Sequence, residues 1–251
     1  MAQSELLYEV IKERVLLLDG AMGSLIQTYK LEEEDYRGER FKDYHMPIKG
    51  NNDILSITQP QIIKEIHAKY LEAGSDIIET NTFNATSISQ ADYDMQEAVW
   101  DINFESAKIA REVADEYTAK DPDKPRFVCG SIGPLNKALS LSPDVNNPGY
   151  RACTFDEVKE TYKEQVIALI KGGSDLLMIE TVFDTLNAKA ALLAIDEVFA
   201  ELDIKLPIMV SGTITDASGR TPTSISCTNS EENWSTSGSG AGYVYGSMYL
   251  V

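Results

Sequence analysis

The feature that most constrains this fold is a joint between a helix and a strand that occurs twice in the chain. Residues 71–80 and 170–181 each contain the end of a helical segment, a glycine, a Ser-Asp pair, an apolar strand and a Glu-Thr pair. Glycine ends a helix readily because it adopts the left-handed conformation of a C-cap. Helices that alternate with short apolar strands are typical of a parallel sheet. The joint therefore predicts an α/β fold, either a barrel or an open doubly wound sheet.

The alternation extends over most of the chain. The predicted strands cover residues 15–18, 76–80, 126–129, 175–179 and 208–212. The predicted long helices cover residues 59–73, 101–117, 155–171 and 184–202. Thr58 and Thr154 are the expected caps of the first and third helices, because a threonine hydroxyl can accept a hydrogen bond from a helix N-terminus. An amphipathic segment before the first strand predicts a further, N-terminal helix.

Polar residues follow the carboxyl end of every predicted strand. They are Asp19-Gly20, the segments 79–82 and 130–134, Glu180-Thr181, and the segment 211–213. A barrel collects its functional residues from all strand ends, whereas an open sheet concentrates them at one switch point. The spacing of a GxGxxG dinucleotide motif is absent after the first strand. The pattern favours an eight-stranded (β/α)8 barrel of the TIM type, of which about five βα units are present in residues 1–221.

The remaining segment, 222–251, differs in composition. It is rich in Ser, Thr, Gly, Asn and Tyr, carries only the charges of Glu231 and Glu232, and has no helical or alternating periodicity. We expect it to be a disordered tail that is not homologous to the barrel. Five strands cannot close an eight-stranded barrel, so two sheet edges would carry unpaired backbone groups.

Charge and cysteine content restrict the function and the location. The net charge of −18 repels phosphate backbones and anionic membrane surfaces, so neither nucleic acid nor membrane is an expected partner. No apolar run approaches the ~20 residues of a membrane span, and the N-terminus does not resemble a signal peptide. The three cysteines are far apart and suit the reducing cytoplasm, which is the expected location.

Three carboxylates at strand ends are candidates for chemistry. Asp19, Glu79 and Glu180 lie at corresponding positions, and Glu79 shares its side-chain direction with Asn81 on an alternating strand. Such carboxylates can bind a cation or a substrate amine, or act as general acid and base. Each one alone could equally be a turn or helix-cap residue. Three at equivalent positions favour a common site.

Several long motifs together resemble a known family. The sequence is similar to the homocysteine-binding module of cobalamin-dependent methionine synthases, within the homocysteine S-methyltransferase family, over roughly residues 6–221. The matching stretches are LLLDGAMGSLIQ (16–27), RGERFKDY (37–44), KGNNDILSITQPQIIKEIHAKYLEAGSDIIETNTFNATSISQADYDM (49–95), GSIGPLNKALSLSPDVNNPGYR (130–151), LLMIETVFDTLNAKAAL (176–192) and MVSGTITDASGRT (209–221). The order and spacing of these stretches make the resemblance more specific than any one motif.

The resemblance implies a function and a substrate site. The family transfers a methyl group to homocysteine to form methionine; in the resembled module the donor is methylcobalamin, charged ultimately from methyltetrahydrofolate. It also implies that cobalamin and folate domains are partners within the full-length protein. Carried over by motif, the homocysteine-binding residues are Asp19, Gly20, Ala21, Met22, Asn81 and Glu180.

The resemblance further implies a zinc ion that binds the substrate sulfur. A thiol with a pKa of ~8.5 is mostly protonated at neutral pH, and a bound metal ion deprotonates it. In the family, three cysteines hold the zinc, one after a GLNC-like strand end and two in a Cys-Cys pair. Neither pattern occurs here, and Cys227 lies in the wrong context, so no metal ligand is assigned. The fragment is therefore expected to be inactive in methyl transfer.

Two alternative functions remain open on the residues. One is a partial barrel without catalytic activity that associates with a partner through its open edges. The other is an unrelated TIM-barrel enzyme that uses Asp19, Glu79 and Glu180 for acid–base chemistry.

Overall fold

A computed structural model of the chain describes residues 3–214, 235–236 and 245–250. The helices are α1 (Gln3–Glu13), α2 (Met22–Thr28), α3 (Glu33–Arg37), α4 (Leu55–Thr58), α5 (Pro60–Ala73), α6 (Ser87–Gln90), α7 (Val99–Lys120), α8 (Phe155–Gly172) and α9 (Thr185–Leu202). Short 3₁₀ turns cover Asn52–Ile54, Ala91–Tyr93 and Gln96–Ala98. The strands are β1 (Ile77–Glu79), β2 (Phe127–Ile132), β3 (Leu176–Val182), β4 (Ile208–Ile214), β5 (Ser235–Thr236) and β6 (Tyr245–Leu250).

The strands form one sheet in the order β1-β2-β3-β4-β6-β5. The first four are parallel, and a long helix connects each to the next, as the alternation in the sequence predicts. Strand β6 pairs antiparallel with β4, and β5 pairs antiparallel with β6. The α/β fold with a parallel sheet of the partial TIM-barrel type is thereby confirmed. Within the described residues, no helix is long and apolar enough to cross a membrane.

The prediction of a first strand at residues 15–18 is wrong. It forms only an isolated bridge between Leu18 and Ile77. It lies beside β1, where Leu17 O accepts hydrogen bonds from the backbone N–H groups of Asp76 (2.7 Å) and Ile77 (3.1 Å). Val15 and Leu17 are 82% and 56% exposed, so the described residues leave one side of this segment largely uncovered. An edge segment without cross-strand support pairs incompletely.

The long helices begin and end near their predicted bounds. Thr154 caps α8: its hydroxyl accepts from Glu157 N at 3.2 Å, and the Glu157 carboxylate accepts from Thr154 N at 2.7 Å. This reciprocal pair is a capping box, so the predicted cap Thr154 is confirmed. The predicted cap Thr58 is wrong, because it closes the short α4 while Gln59 precedes α5 without a side-chain cap.

Apolar side chains cover both faces of the parallel sheet. On the inner face, Phe127, Cys129, Leu176 and Met178 form a cluster with Leu7 of α1. On the outer face, alternate strand residues pack against α5, α7, α8 and α9. A sheet buried on both faces leaves only its strand ends for polar chemistry.

The repeated Ser-Asp joint has the same structural role in both copies. Asp76 Oδ2 accepts from Leu17 N at 2.9 Å, and Asp175 Oδ2 accepts from Val128 N at 2.8 Å. Each carboxylate therefore binds the backbone of the preceding segment in the sheet. Arginines 14 and 111 neutralise these two carboxylates, at 2.8 Å and 2.6 Å. The joint thus fixes the amino-terminal edge of the sheet.

Candidate functional site

The carboxyl-terminal edge of the sheet surrounds a cavity of about 480 Å³. All six residues assigned from the motifs line it: Asp19, Gly20, Ala21, Met22, Asn81 and Glu180. Glu79 lines it as well. The convergence follows from the topology, because the carboxyl ends of parallel strands meet at one face. Their role in binding homocysteine stays a prediction.

The Asp-Gly turn is held from two sides. Asp19 Oδ2 accepts from Glu79 N at 3.0 Å, and Asp19 N donates to Ile77 O at 2.9 Å. Behind the turn, Tyr70 Oη donates to Ala21 O at 3.2 Å. A Cβ at Gly20 would lie 3.2 Å from Tyr70 Oη, closer than most such contacts. Glycine therefore lets this turn lie close to α5, with its backbone facing the cavity.

Asn81 forms a second wall of the cavity. Its side-chain amide donates to Asn52 O at 2.8 Å and to Ser56 Oγ at 3.3 Å, and the residue is only 6% exposed. Asn81 thus joins the end of β1 to the turn that contains Asn52. Both amide hydrogens are used within the protein, which makes the Asn81 side chain a rigid part of the wall.

Glu180 lies at an irregularity in β3. The pairing of β3 with β4 shifts register between Ile179 and Val182. Thr181 adopts a left-handed conformation with φ 55°, which is strained for a β-branched residue. Bulges of this kind redirect side chains next to functional sites. Here the bulge directs the Glu180 carboxylate to the cavity, where Ser131 Oγ donates to it.

Burial without a compensating cation raises the pKa of the carboxyl groups at the cavity. It raises the pKa of Asp19 to about 7 and that of the buried Asp53 to about 6. Burial, and then the charges of Glu180 and Asp19, raise the pKa of Glu79 well above its ordinary value. Burial also raises the pKa of Glu180, although the hydrogen bonds from Ser131 and Thr181 oppose it. No Lys, Arg or His of the described chain lines this cavity.

Sequence reasoning did not assign four residues that shape the site. Asn52, Asp53 and Ser131 line the cavity, and Tyr70 supports the Asp-Gly turn from α5. Asn52, Asp53 and Tyr70 lie in matched stretch 49–95, and Ser131 lies in stretch 130–151. Their inclusion in those stretches was the available signal, but their contacts join residues distant in sequence.

A zinc site is not formed by the described residues. They contain no group of three His, Cys, Asp or Glu that could hold a metal ion. Cys129 is fully buried in the inner cluster, and Cys153 lies away from the cavity beside α8. Cys227 lies outside the described residues. The described side chains therefore do not fit a three-cysteine zinc centre.

Solved structures similar to this chain include three forms of the homocysteine methyltransferase MmuM from Escherichia coli. The metallated form gives a TM-score of 0.61 at 21% identity, covering 86% of this chain and 68% of that chain. The oxidised form gives 0.61 at 22%, covering 84% and 66%, and the apo form 0.56 at 22%, covering 84% and 63%. This chain therefore spans about two thirds of the length of those enzymes, and the likeness establishes the fold.

The family is established by a second comparison. The model of the homocysteine S-methyltransferase family matches residues 16–237, which include every parallel strand and every cavity residue. The match ends inside the segment 222–251, whose separation as a tail stays a prediction. This chain belongs to the homocysteine S-methyltransferase family.

Proposed function

We propose that the cavity binds homocysteine through its amino-acid group. The ammonium group lies against Asp19 and Glu180, and the carboxylate lies against the backbone of the turn formed by residues 20–22. The observation that carries this proposal is the convergence of the motif-assigned residues on one cavity that contains carboxylates and no basic side chain within the described residues.

The charges of the cavity support a cationic ligand group. Asp19 Oδ1 is buried and has no hydrogen-bond donor in the described structure. A buried carboxylate oxygen without a donor is costly, and a substrate ammonium would supply both the charge and the donor. The glycine turn brings backbone N–H groups to the same cavity, and such groups bind carboxylates. Phe83, which is 38% exposed at the cavity wall, offers an apolar surface to the substrate methylenes.

We further propose that the chain derives from the homocysteine module of a cytoplasmic methionine synthase. In that assignment the methyl donor is methylcobalamin, and the cobalamin and folate domains are its partners. The support is the ordered series of motifs between residues 16 and 221. Since the described residues do not form the zinc centre, the chain as given would bind homocysteine without methylating it.

Calorimetry with L-homocysteine under reducing conditions tests the binding proposal. Glu180→Gln keeps the size of the side chain and removes its charge, so we expect affinity to fall about tenfold to a hundredfold. Glu197→Gln is the matched control, because Glu197 pairs with Lys159 at 2.8 Å on the outer face of α9. The control variant should bind like the original chain.

Two results would contradict the proposal. One is the absence of a binding signal in the folded, unmodified chain. The other is equal loss of affinity in both variants, which would indicate a general effect of charge. Methylation assays with methylcobalamin and zinc test the separate expectation that this chain has no activity.

A further inference from the structure

Ser131 is held by hydrogen bonds on both sides of its backbone. Its backbone N–H donates to Thr80 Oγ1 at 2.9 Å, and its carbonyl accepts from Thr82 Oγ1 at 2.7 Å. The two threonine hydroxyls are 2.6 Å apart, so they form one connected network between the ends of β1 and β2. Ser131 itself is 1% exposed. Among the described contacts, its hydroxyl binds a single acidic side chain.

That neighbour is Glu180. Ser131 Oγ donates to Glu180 Oε1, and Thr181 Oγ1 lies 3.4 Å from Glu180 Oε2. The Glu79 carboxylate, by contrast, has no hydrogen-bond donor among the described contacts, and its charged neighbours are Glu180 and Asp19. A hydrogen bond to an ionised carboxylate favours ionisation, and a neighbouring negative charge opposes it.

We propose that Ser131 is a positioning residue that makes Glu180 the ionised member of the Glu79–Glu180 pair and leaves the proton on Glu79. This inference rests on the proposed function, because the selected charge is the one that meets the substrate ammonium. The proton needs no external donor, since it remains within the cluster at neutral pH. A charge fixed on Glu180 rather than shared with Glu79 gives the ammonium one preferred position at this end of the cavity.

Every titratable group around the cluster is acidic or neutral. The groups at the main cavity come from the Asp-Gly turn, the turn before α4, β1, β2 and α5: Asp19, Asp53, Glu79, Cys129 and Tyr70. Tyr162 of α8 and Asp184, which precedes α9, line a second cavity with Glu180. No arginine or lysine in the described cavity competes with Ser131 for control of the charge. Removal of the Ser131 hydroxyl should therefore act directly on Glu180.

The test measures the affinity of L-methionine between pH 5 and pH 8 by calorimetry. Methionine has no thiol, so neither metal binding nor thiol titration contributes. Affinity should fall as the pH falls and Glu180 takes up a proton. In Ser131→Ala the midpoint of this fall should move to higher pH by about one unit.

Two further variants complete the test. Ser131→Thr keeps the hydroxyl and should restore the original midpoint. Ser174→Ala removes a buried hydroxyl that has no partner, at the opposite end of β3, and should leave the midpoint unchanged. An unchanged midpoint in Ser131→Ala would overturn the inference while leaving the proposed function intact. Failure of the original chain to bind methionine and homocysteine would overturn both.

A measurement on the unmodified chain decides the question if Ser131→Ala does not fold. Carbon-13 labels in the glutamate carboxyl groups report ionisation by NMR. Glu79→Gln and Glu180→Gln serve only to assign the two signals. At pH 7 we expect the Glu180 signal at the ionised position and the Glu79 signal at the protonated position. The reverse assignment would contradict the proposal.

Discussion

The two edges of the parallel sheet treat their carboxylates in opposite ways. At the amino-terminal edge, Asp76 binds Arg14 through both oxygens at 2.8 and 2.9 Å, and Asp175 binds Arg111 at 2.6 Å. At the carboxyl-terminal edge, Asp19 and Glu180 face a cavity without a cation in the described chain. The same residue types thus stabilise the fold at one edge and remain available at the other.

The pKa values of Asp76 and Asp19 show this difference, whereas at Asp175 burial outweighs Arg111 and raises the pKa. Burial opposes the ionisation of Asp76, but the hydrogen bonds from Arg14 and Leu17 and the positive charges nearby hold its pKa below the usual value. Burial raises the pKa of Asp19 to about 7, and only backbone groups oppose it. A sequence that leaves a buried carboxylate uncompensated loses stability, so the cavity edge is where a ligand would restore it.

The largest effect should come from breaking the paired edge. Asp175→Ala leaves Arg111, whose side chain is 18% exposed, without its buried partner and removes the acceptor of Val128 N. We expect a loss of about 4 kcal/mol in the free energy of unfolding, measured by urea denaturation. Asp196→Ala, at an exposed position of α9, is the control and should change little. Equal losses in both variants would end the distinction between paired and exposed carboxylates.

One buried histidine, which lies at neither edge of the sheet, also makes the stability of the fold depend on pH. It must be replaced before the pH dependence of the two edges can be compared. His67 in α5 is fully buried, neither ring nitrogen has a partner, and burial lowers its pKa from 6.5 to about 4. The folded state therefore favours the neutral ring. The contribution of the neutral His67 ring to the free energy of unfolding is fully present above pH 6.5. It falls by about 3 kcal/mol as the pH falls toward 4. His67→Leu should abolish this loss, measured by chemical denaturation at pH 7 and pH 4.5. If the free energy of unfolding of the variant still falls between these two pH values as in the original chain, the prediction is wrong.

The cavity edge should show the opposite pH dependence. Asp19 has a folded pKa of about 7 against an ordinary value of 3.8, so the folded state favours its protonated form. Its contribution to stability is therefore lost as the pH rises from 4 to 7. Relative to the original chain, the free energy of unfolding of Asp19→Asn should therefore rise by about 2 kcal/mol between pH 4 and pH 7. This value is reduced for solvent screening, because Asp19 lines the cavity. The measurement is chemical denaturation at pH 4 and pH 7 in the His67→Leu background. A relative stability of Asp19→Asn that rises toward low pH would contradict the prediction.

The smallest effect concerns the strained residue beside Glu180. Thr181→Gly relieves the left-handed conformation at φ 55°, and we expect a gain of about 1 kcal/mol in stability. Glu180 would be held less firmly, so affinity for homocysteine should fall in the same variant. Thermal denaturation and calorimetry measure the two effects. A loss of stability would show that the bulge is not strained.

The sequence predicts the alternating architecture and the location of the site more fully than the interactions within it. Glycine stops at Gly74 and Gly173 and the box at Thr154 are local signals, and they correctly indicate where α5 and α8 end and where α8 begins. The first strand was wrongly predicted, because its apolar pattern did not reveal that Val15 and Leu17 are largely exposed.

The residues of the site also differ in how far local sequence predicts them. The Asp-Gly turn and Glu180 lie directly after apolar segments, so their position at the cavity follows from local order. The role of Ser131 depends on the threonines that follow β1 and on the bulge in β3, contacts about fifty residues away in each direction. Propensity and periodicity do not report such contacts, because they describe near neighbours only.

The most direct test of the central claim is a crystal structure of this chain with L-homocysteine. The account predicts the ligand in the cavity at the carboxyl-terminal edge, with its ammonium within hydrogen-bond distance of Asp19 and Glu180. The arginine-paired carboxylates at the opposite edge should remain unchanged. Homocysteine bound elsewhere, or bound there with its ammonium turned away from both carboxylates, would contradict the account.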